Sequence, residues 1–189
     1  MKPILFNQEM VKAILEGRKT VTRRLVKQKI TQFLSGKPKI WVKNKYSSKT
    51  DELKPPYQSG DILYVRETWC NKTKNGKYAY KADKPEKPGF LQACYEDAKW
   101  HPSIHMPKKA ARIFLKVVDV RVEKVKDITE KEAIKEGFID DAEYCVGNCA
   151  RGHFINTIKE IYPEATEDTY LWVIEFERIS KEEAYDRSN

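Results

Sequence analysis

The chain has 189 residues, 40% of them hydrophobic and 34% charged, with a formal net charge of +8. That length buries a sizeable core and argues for one domain, and the balance excludes a disordered chain. No apolar run approaches membrane-spanning length, and Met1-Lys2-Pro3-Ile4-Leu5-Phe6 is too short for a signal peptide, so a cytoplasmic protein with no membrane partner is expected. Cys70, Cys94, Cys145 and Cys149 are then read as reduced thiols or ligands rather than disulfides.

In chain order, residues 2–6 read as a short strand. Asn7 is a good N-cap, and Met10, Val11, Ile14 and Leu15 recur at helical spacing as one core-facing stripe. Gly17 is the natural residue to end that helix, since it adopts a left-handed conformation without a Cβ penalty. The octet Gly17-Arg18-Lys19-Thr20-Val21-Thr22-Arg23-Arg24 follows, where a helix hands over to a β-branched strand over 20–26. Arg18 and Lys19 offset the negative end of a helix, whereas Arg23 and Arg24 repel their neighbours unless an anion sits among them. In a regular strand Lys19 and Thr22 would face opposite sides, so both reach one ligand only if Lys19 still lies in the turn.

Residues 27–56 form a Lys-rich excursion with one embedded strand around 40–42, where Trp41 is either a stacking residue or the cover of an apolar edge. From 17 to 50 there are eleven Lys and Arg and no acid; from 127 onward sixteen acids stand against seven bases. The basic surplus is local, which favours a polyanionic partner over a merely solvated face.

After a turn at 55–60, residues 61–69 alternate, with Leu63, Val65, Glu67 and Trp69 on one face. A carboxylate on that apolar face belongs near the strand end or beside a cation, for which Lys19, Arg24 and Arg66 are the candidates. Asn75-Gly76 marks a hairpin between 72–74 and 78–80. Residues 100–107, with two Pro, Ser103 and His105, read as a rigid loop by the ligand pocket. Residues 110–125 give a long strand bending at Asp119. Thr129 and Glu132 make a capping box, Phe154, Ile155, Ile158 and Ile161 pack a second helix, and 170–179 is the closing strand.

Cys145-x-x-x-Cys149-x-x-x-His153 has metal-ligand chemistry but only three donors, and Gly147 and Gly152 argue against one continuous helix. No bound metal and no cofactor are expected. A hydroxyl becomes a nucleophile when a base takes its proton, and a lysine near other cations can be that base. Lys19, Thr22 and Glu67 are the residues that offer this chemistry.

The spacing Gly17-x-Lys19-x-x-Thr22-x-Arg24 resembles the signature of the ASCH domain family, relatives of the PUA RNA-binding domains, whose usual pattern has Glu where this chain has Thr22. The small bacterial ASCH proteins that hydrolyse N4-acetylcytidine also carry Thr there. Residues 60–69 and 100–107 resemble the phage and prophage branch. The resemblance implies an α+β fold, a small PUA-like β-barrel with flanking short helices, as a single domain over 1–189 with insertions near 27–58, 71–99 and 138–153. It implies RNA, single-stranded nucleic acid or nucleoside binding through Gly17, Arg18, Lys19, Arg23, Arg24, Arg66, Ser103 and His105. Alternatively, it implies an amidohydrolase with Lys19, Thr22 and Glu67 as its catalytic set.

Overall fold

Alternation of apolar residues fixes the middle strands. The computed structural model describes residues 1–27, 30–35, 40–44, 50–70, 78–84, 98–139 and 149–186. They form an α+β fold. In its larger sheet the hydrogen-bonding order is β1(Lys2–Leu5), β6(Ile62–Arg66), β9(Phe114–Lys124), β10(Tyr170–Ile179), β2(Val21–Leu25), and a second sheet runs β3(Ile30–Ser35), β4(Ile40–Asn44), β5(Thr50–Leu53). Among the described residues no helix is long and apolar enough to cross a membrane. The chain divides into two units, the first holding Met1–Thr20, Gly60–Lys116 and Phe176–Asn189, the second Val21–Ser59 and Val117–Glu175.

In the first unit β1 lies parallel to β6, with Lys2 opposite Leu63, and β6 lies antiparallel to β9, with Leu63 opposite Leu115. The face predicted to be internal is internal: Leu63, Val65, Glu67 and Trp69 are all buried. Helix α1(Gln8–Leu15) starts at Asn7, whose Oδ1 accepts the Met10 N–H at 2.8 Å and so satisfies one of the four donors a helix leaves unpaired. Val11, Ala13 and Ile14 carry its buried face; Met10 and Leu15 are half-buried.

The helix ends at Gly17, φ 76°. The Gly17 N–H donates to the Ile14 carbonyl and the Arg18 N–H to that of Ala13, the paired bonds of a Schellman turn. Helix α1 packs against the turn Lys81–Asp83. The paired strands β7(Trp69–Cys70) and β8(Ala79–Tyr80) join Trp69 to Tyr80. The Asn75-Gly76 turn and its first arm lie outside the described residues. Residues 100–107 hold the one-turn 3-10 segment Ser103–His105 instead of a plain loop, and strand β9 begins at Phe114 instead of Ala110.

In the second unit β2 runs antiparallel to β10, Thr22 opposite Ile174. Where one strand was expected between 27 and 56 there are three, paired antiparallel as β3–β4–β5. Strand β5 reads Thr-Asp-Glu-Leu, a poor strand by propensity, and pairing with β4 overrides that preference. Thr129 caps α2(Glu130–Lys135) through the Glu132 N–H. Helix α3(Cys149–Ile161) runs straight through Gly152, against the expected break, because Ala150, Phe154 and Ile158 on one face are buried with Val125, Ile128 and Leu171. Ile161, expected in that stripe, is 59% exposed, being past the last buried turn. Strand β10 has the predicted bounds. A last helix α4(Lys181–Asp186) follows it.

Two glycines should respond oppositely to alanine. No atom lies within 4 Å of a Cβ added to either. Gly17→Ala then pays only for its positive φ and should lose about 1 kcal/mol, whereas Gly152→Ala, inside α3, should gain about 0.5–1 kcal/mol, both measured by urea unfolding.

Candidate functional site

The Schellman turn sets Lys19. Its N–H donates to the Ala13 carbonyl at 3.0 Å, beside that of Arg18, and β2 begins only at Val21, so Lys19 lies in the turn, where its spacing to Thr22 required it to be. The residue is 3% exposed, with Nζ 5.5 Å from the centroid of the Phe6 ring. Electrostatic attraction to the ring face offsets part of the ammonium's lost hydration. Arg18 is exposed and pairs with Glu16.

Thr22 and Arg24 point to one side of β2. The Thr22 hydroxyl, in a residue 0% exposed, accepts from Arg24 Nη1 at 2.9 Å. An oxygen receiving that bond keeps its own proton to donate, and a neighbouring guanidinium favours any negative charge that develops on it.

Arg23 points the other way and corrects an expectation. The anion sought for it is internal. Its guanidinium, 1% exposed, meets Glu132 at 2.6 Å, Glu123 at 3.0 Å and Glu136 at 3.5 Å, while its peptide N–H donates to Glu136 Oε1 at 2.8 Å. Arg121 binds Glu123 and Glu132 as well. Arg23 therefore anchors α2 to β2, and its charge is spent on these carboxylates.

Glu67 stands one residue past the end of β6, 2% exposed, as the alternation placed it. Its cation is Arg112, not Lys19, Arg24 or Arg66. Arg112 Nε and Nη2 donate to the two Glu67 oxygens at 2.9 and 3.0 Å. The same guanidinium binds both oxygens of Asp83 at 2.6 and 2.9 Å and lies 4.0 Å from the Tyr80 ring centroid. Dehydration pushes the Glu67 carboxyl above its usual range; the Arg112 bonds pull it back but do not cancel the rise. For Arg112, burial opposes the charge, and the bonds to Glu67 and Asp83 outweigh burial, so its already high pKa rises further. Burial pushes the Tyr80 hydroxyl up to about 12.

Arg66 donates to the carbonyls of Met106 and Ile104, at 2.9 and 2.5 Å, which pins the loop bearing Ser103 and His105. Ser103 is half-buried and His105 exposed. Sequence reasoning missed Arg112 and Asp83. Arg112 sits in Ala-Ala-Arg-Ile-Phe, where it passes for the polar phase of a strand; the one available signal is a cation within an apolar run, the complement of Glu67. Lys19 and Glu67 belong to the first unit, Thr22, Arg23 and Arg24 to the second.

Cys145 lies outside the described residues. Cys149 is buried and His153 exposed, at the start and in the second turn of α3. Trp41 lies in β4, opposite Ser35 and Glu52.

No family model matches the chain, and no curated protein does. Among solved structures it is similar to a protein of the DUF984 family from Enterococcus faecalis V583, at 12% identity and TM-score 0.45, over 95% of this chain and 82% of that one. It is also similar to an ASCH domain from Lactobacillus crispatus JV V101, at 20% identity and TM-score 0.38, over 90% of this chain and 71% of that one.

Removing one member of a buried ion pair leaves the other charge uncompensated. Arg23→Ala should therefore lose about 3–5 kcal/mol in denaturant unfolding. For Glu67 the sign follows from a folded-state pKa above the unfolded one. Its contribution is fully present below the unfolded value and is lost as pH rises through the folded one. The stability of the wild type relative to Glu67→Gln should thus decline as pH rises above the ordinary glutamate range, read by chemical denaturation at a series of pH values. A difference that grows with pH would mean that Arg112 outweighs dehydration.

Proposed function

We propose that the chain is a single PUA-like domain of the ASCH type, related to its phage and prophage branch, and that it binds RNA, single-stranded nucleic acid or a modified nucleoside through the junction at 17–24. The observation that carries this reading is burial. Five polar or charged residues among those described are buried: Lys19, Thr22, Arg23, Glu67 and Glu136. Arg23 and Glu136 bond each other; the remaining three are those the sequence singles out for chemistry. An apolar side chain would hold such a position without the cost of dehydrating an ammonium, a hydroxyl or a carboxylate, so their retention fits a ligand-directed role. Gly17 gives the turn its shape, Lys19 and Arg24 supply positive charge, and the exposed Arg18 and His105, with Ser103 and Arg66, border the ligand. The acid-free, Lys-rich sequence from 17 to 45 would add positive charge for the phosphates.

Affinity for a short single-stranded RNA should fall steeply with salt, because phosphate contacts release counterions. Arg24→Gln should weaken it roughly tenfold by fluorescence anisotropy. Arg24 is the residue to change, since Arg23→Ala confounds binding with stability. Affinity indifferent to both salt and Arg24→Gln rejects the reading.

The contact between Arg24 and Thr22 favours a second reading, deacylation of an N4-acetylcytidine-like nucleoside. Thr22 Oγ1 would attack the acetyl carbonyl while Lys19, in this reading a neutral amine, takes its proton. The C–N bond breaks with Glu67 assisting the leaving amine, and water then hydrolyses the threonyl ester to acetate. The intact protein should then release acetate and cytidine, followed by chromatography, and Thr22→Val and Lys19→Ala should each lower the rate by at least about a hundredfold. Nucleoside binding with no turnover leaves a reader of modified bases.

A further inference from the structure

Trp69 carries an orphan. Its indole Nε1 is buried without a hydrogen-bond partner among the described residues, in a residue 7% exposed. An indole N–H donates once and accepts nothing, so no rotation satisfies it, and burial forfeits the bond that water would have made. The groups around it are satisfied. The Trp69 peptide N–H donates to the His101 carbonyl at 3.2 Å, and the Trp69 carbonyl accepts from the His101 N–H at 2.8 Å. On its other edge Trp69 pairs with Tyr80, whose hydroxyl donates to the Ala110 carbonyl at 2.7 Å.

The ring is fixed as well. His101 lies 5.1 Å from it, tilted by 34°, and Tyr78 lies 5.7 Å away, edge-on at 69°. Backbone bonds on both edges and rings alongside give the N–H one direction, which is what a preorganised donor requires. A phenylalanine would fill this place among Ile62, Met106 and Phe114 with no polar atom to dehydrate, so packing does not explain the N–H.

We propose that Trp69, with the Tyr78 and His101 rings beside it, is a base-reading subsite, its indole N–H donating to a carbonyl or ring-nitrogen acceptor on a nucleobase. The inference rests on the nucleic-acid reading above and names the part of the ligand that reading leaves open. A nucleobase combines flat apolar faces with acceptors on its edge, which suits one fixed donor among aromatic rings. Stacking tolerates any base; the single donor discriminates, because a base presenting its own donor there leaves two buried N–H groups facing each other.

The test uses the full chain, 15N-labelled at its four tryptophans, with the Trp69 indole signal assigned through bonds. The protein is titrated with cytidine, with N4-acetylcytidine and with a short single-stranded RNA, and affinities are measured by calorimetry for the wild type and for Trp69→Phe. The expected result is a saturable downfield shift of the Trp69 signal with nucleoside, a roughly tenfold loss of nucleoside affinity in Trp69→Phe, and a Tm equal to or above that of the wild type. If RNA or nucleoside binds while the Trp69 signal stays put, the subsite is overturned and the nucleic-acid reading stands. If nothing binds, both fall. A Trp69→Phe variant that loses stability but no affinity assigns the N–H to the core and overturns the subsite. Should the variant fail to fold, the wild-type signal alone decides.

Discussion

A buried carboxylate is tolerated only beside a cation, and the pair of Glu67 and Arg112 is where the first unit meets that constraint. Arg112 divides its donors between Glu67 and Asp83 and rests its flat face on Tyr80. It thereby ties three pieces of chain distant in sequence: the end of β6, the turn at 81–83 and the segment entering β9. Helix α1, which precedes Lys19, packs on that same turn, an element fixed by the salt bridge. A well-packed apolar cluster of similar volume could join the same pieces at no greater cost.

The second unit solves a similar problem with a different balance. Arg23 and Arg121 face Glu123, Glu132, Glu136 and Glu175, more carboxylates than guanidinium groups. Part of the acidic surplus beyond residue 127 is thus internal counter-charge rather than acidic surface. The same reasoning thins the basic octet. Arg18 pairs with Glu16, Arg23 is caged, and Arg24 leans on Thr22. A cluster of four cations in sequence is therefore not four cations facing outward, since Arg18 and Arg23 are matched by carboxylates.

What the sequence made legible was local. Asn7 and Thr129 cap as their side chains allow, Gly17 turns the chain, and the period-2 pattern puts Glu67 and Trp69 inside and gives β10 its bounds. What stayed hidden depends on distant partners. Nothing within a dozen residues of Glu67 announces Arg112, forty-five positions away. Strand β5 has no strand composition and exists through its pairing with β4. Gly152 looks like a helix breaker until the burial of Phe154 and Ile158 outweighs its roughly 1 kcal/mol penalty. The internal destination of Arg23 was equally out of reach, since its carboxylates lie a hundred or more residues on.

Thr22 and Lys19 do not weigh equally as signs of chemistry. A threonine two positions before an arginine on one strand shares a face with it, so the bond between Thr22 and Arg24 follows from strand geometry and costs the fold little. Lys19 is different. Placing an ammonium at 3% exposure needs a helix stopped by a glycine, two N–H groups turned back onto the Ala13 carbonyl, and a strand that starts two residues later. A solvated lysine at a helix C-terminus would offset the dipole as well without any of this. The expensive arrangement is the informative one, and it makes the lysine, rather than the hydroxyl or the conspicuous pair of arginines, the residue on which both readings of this site turn.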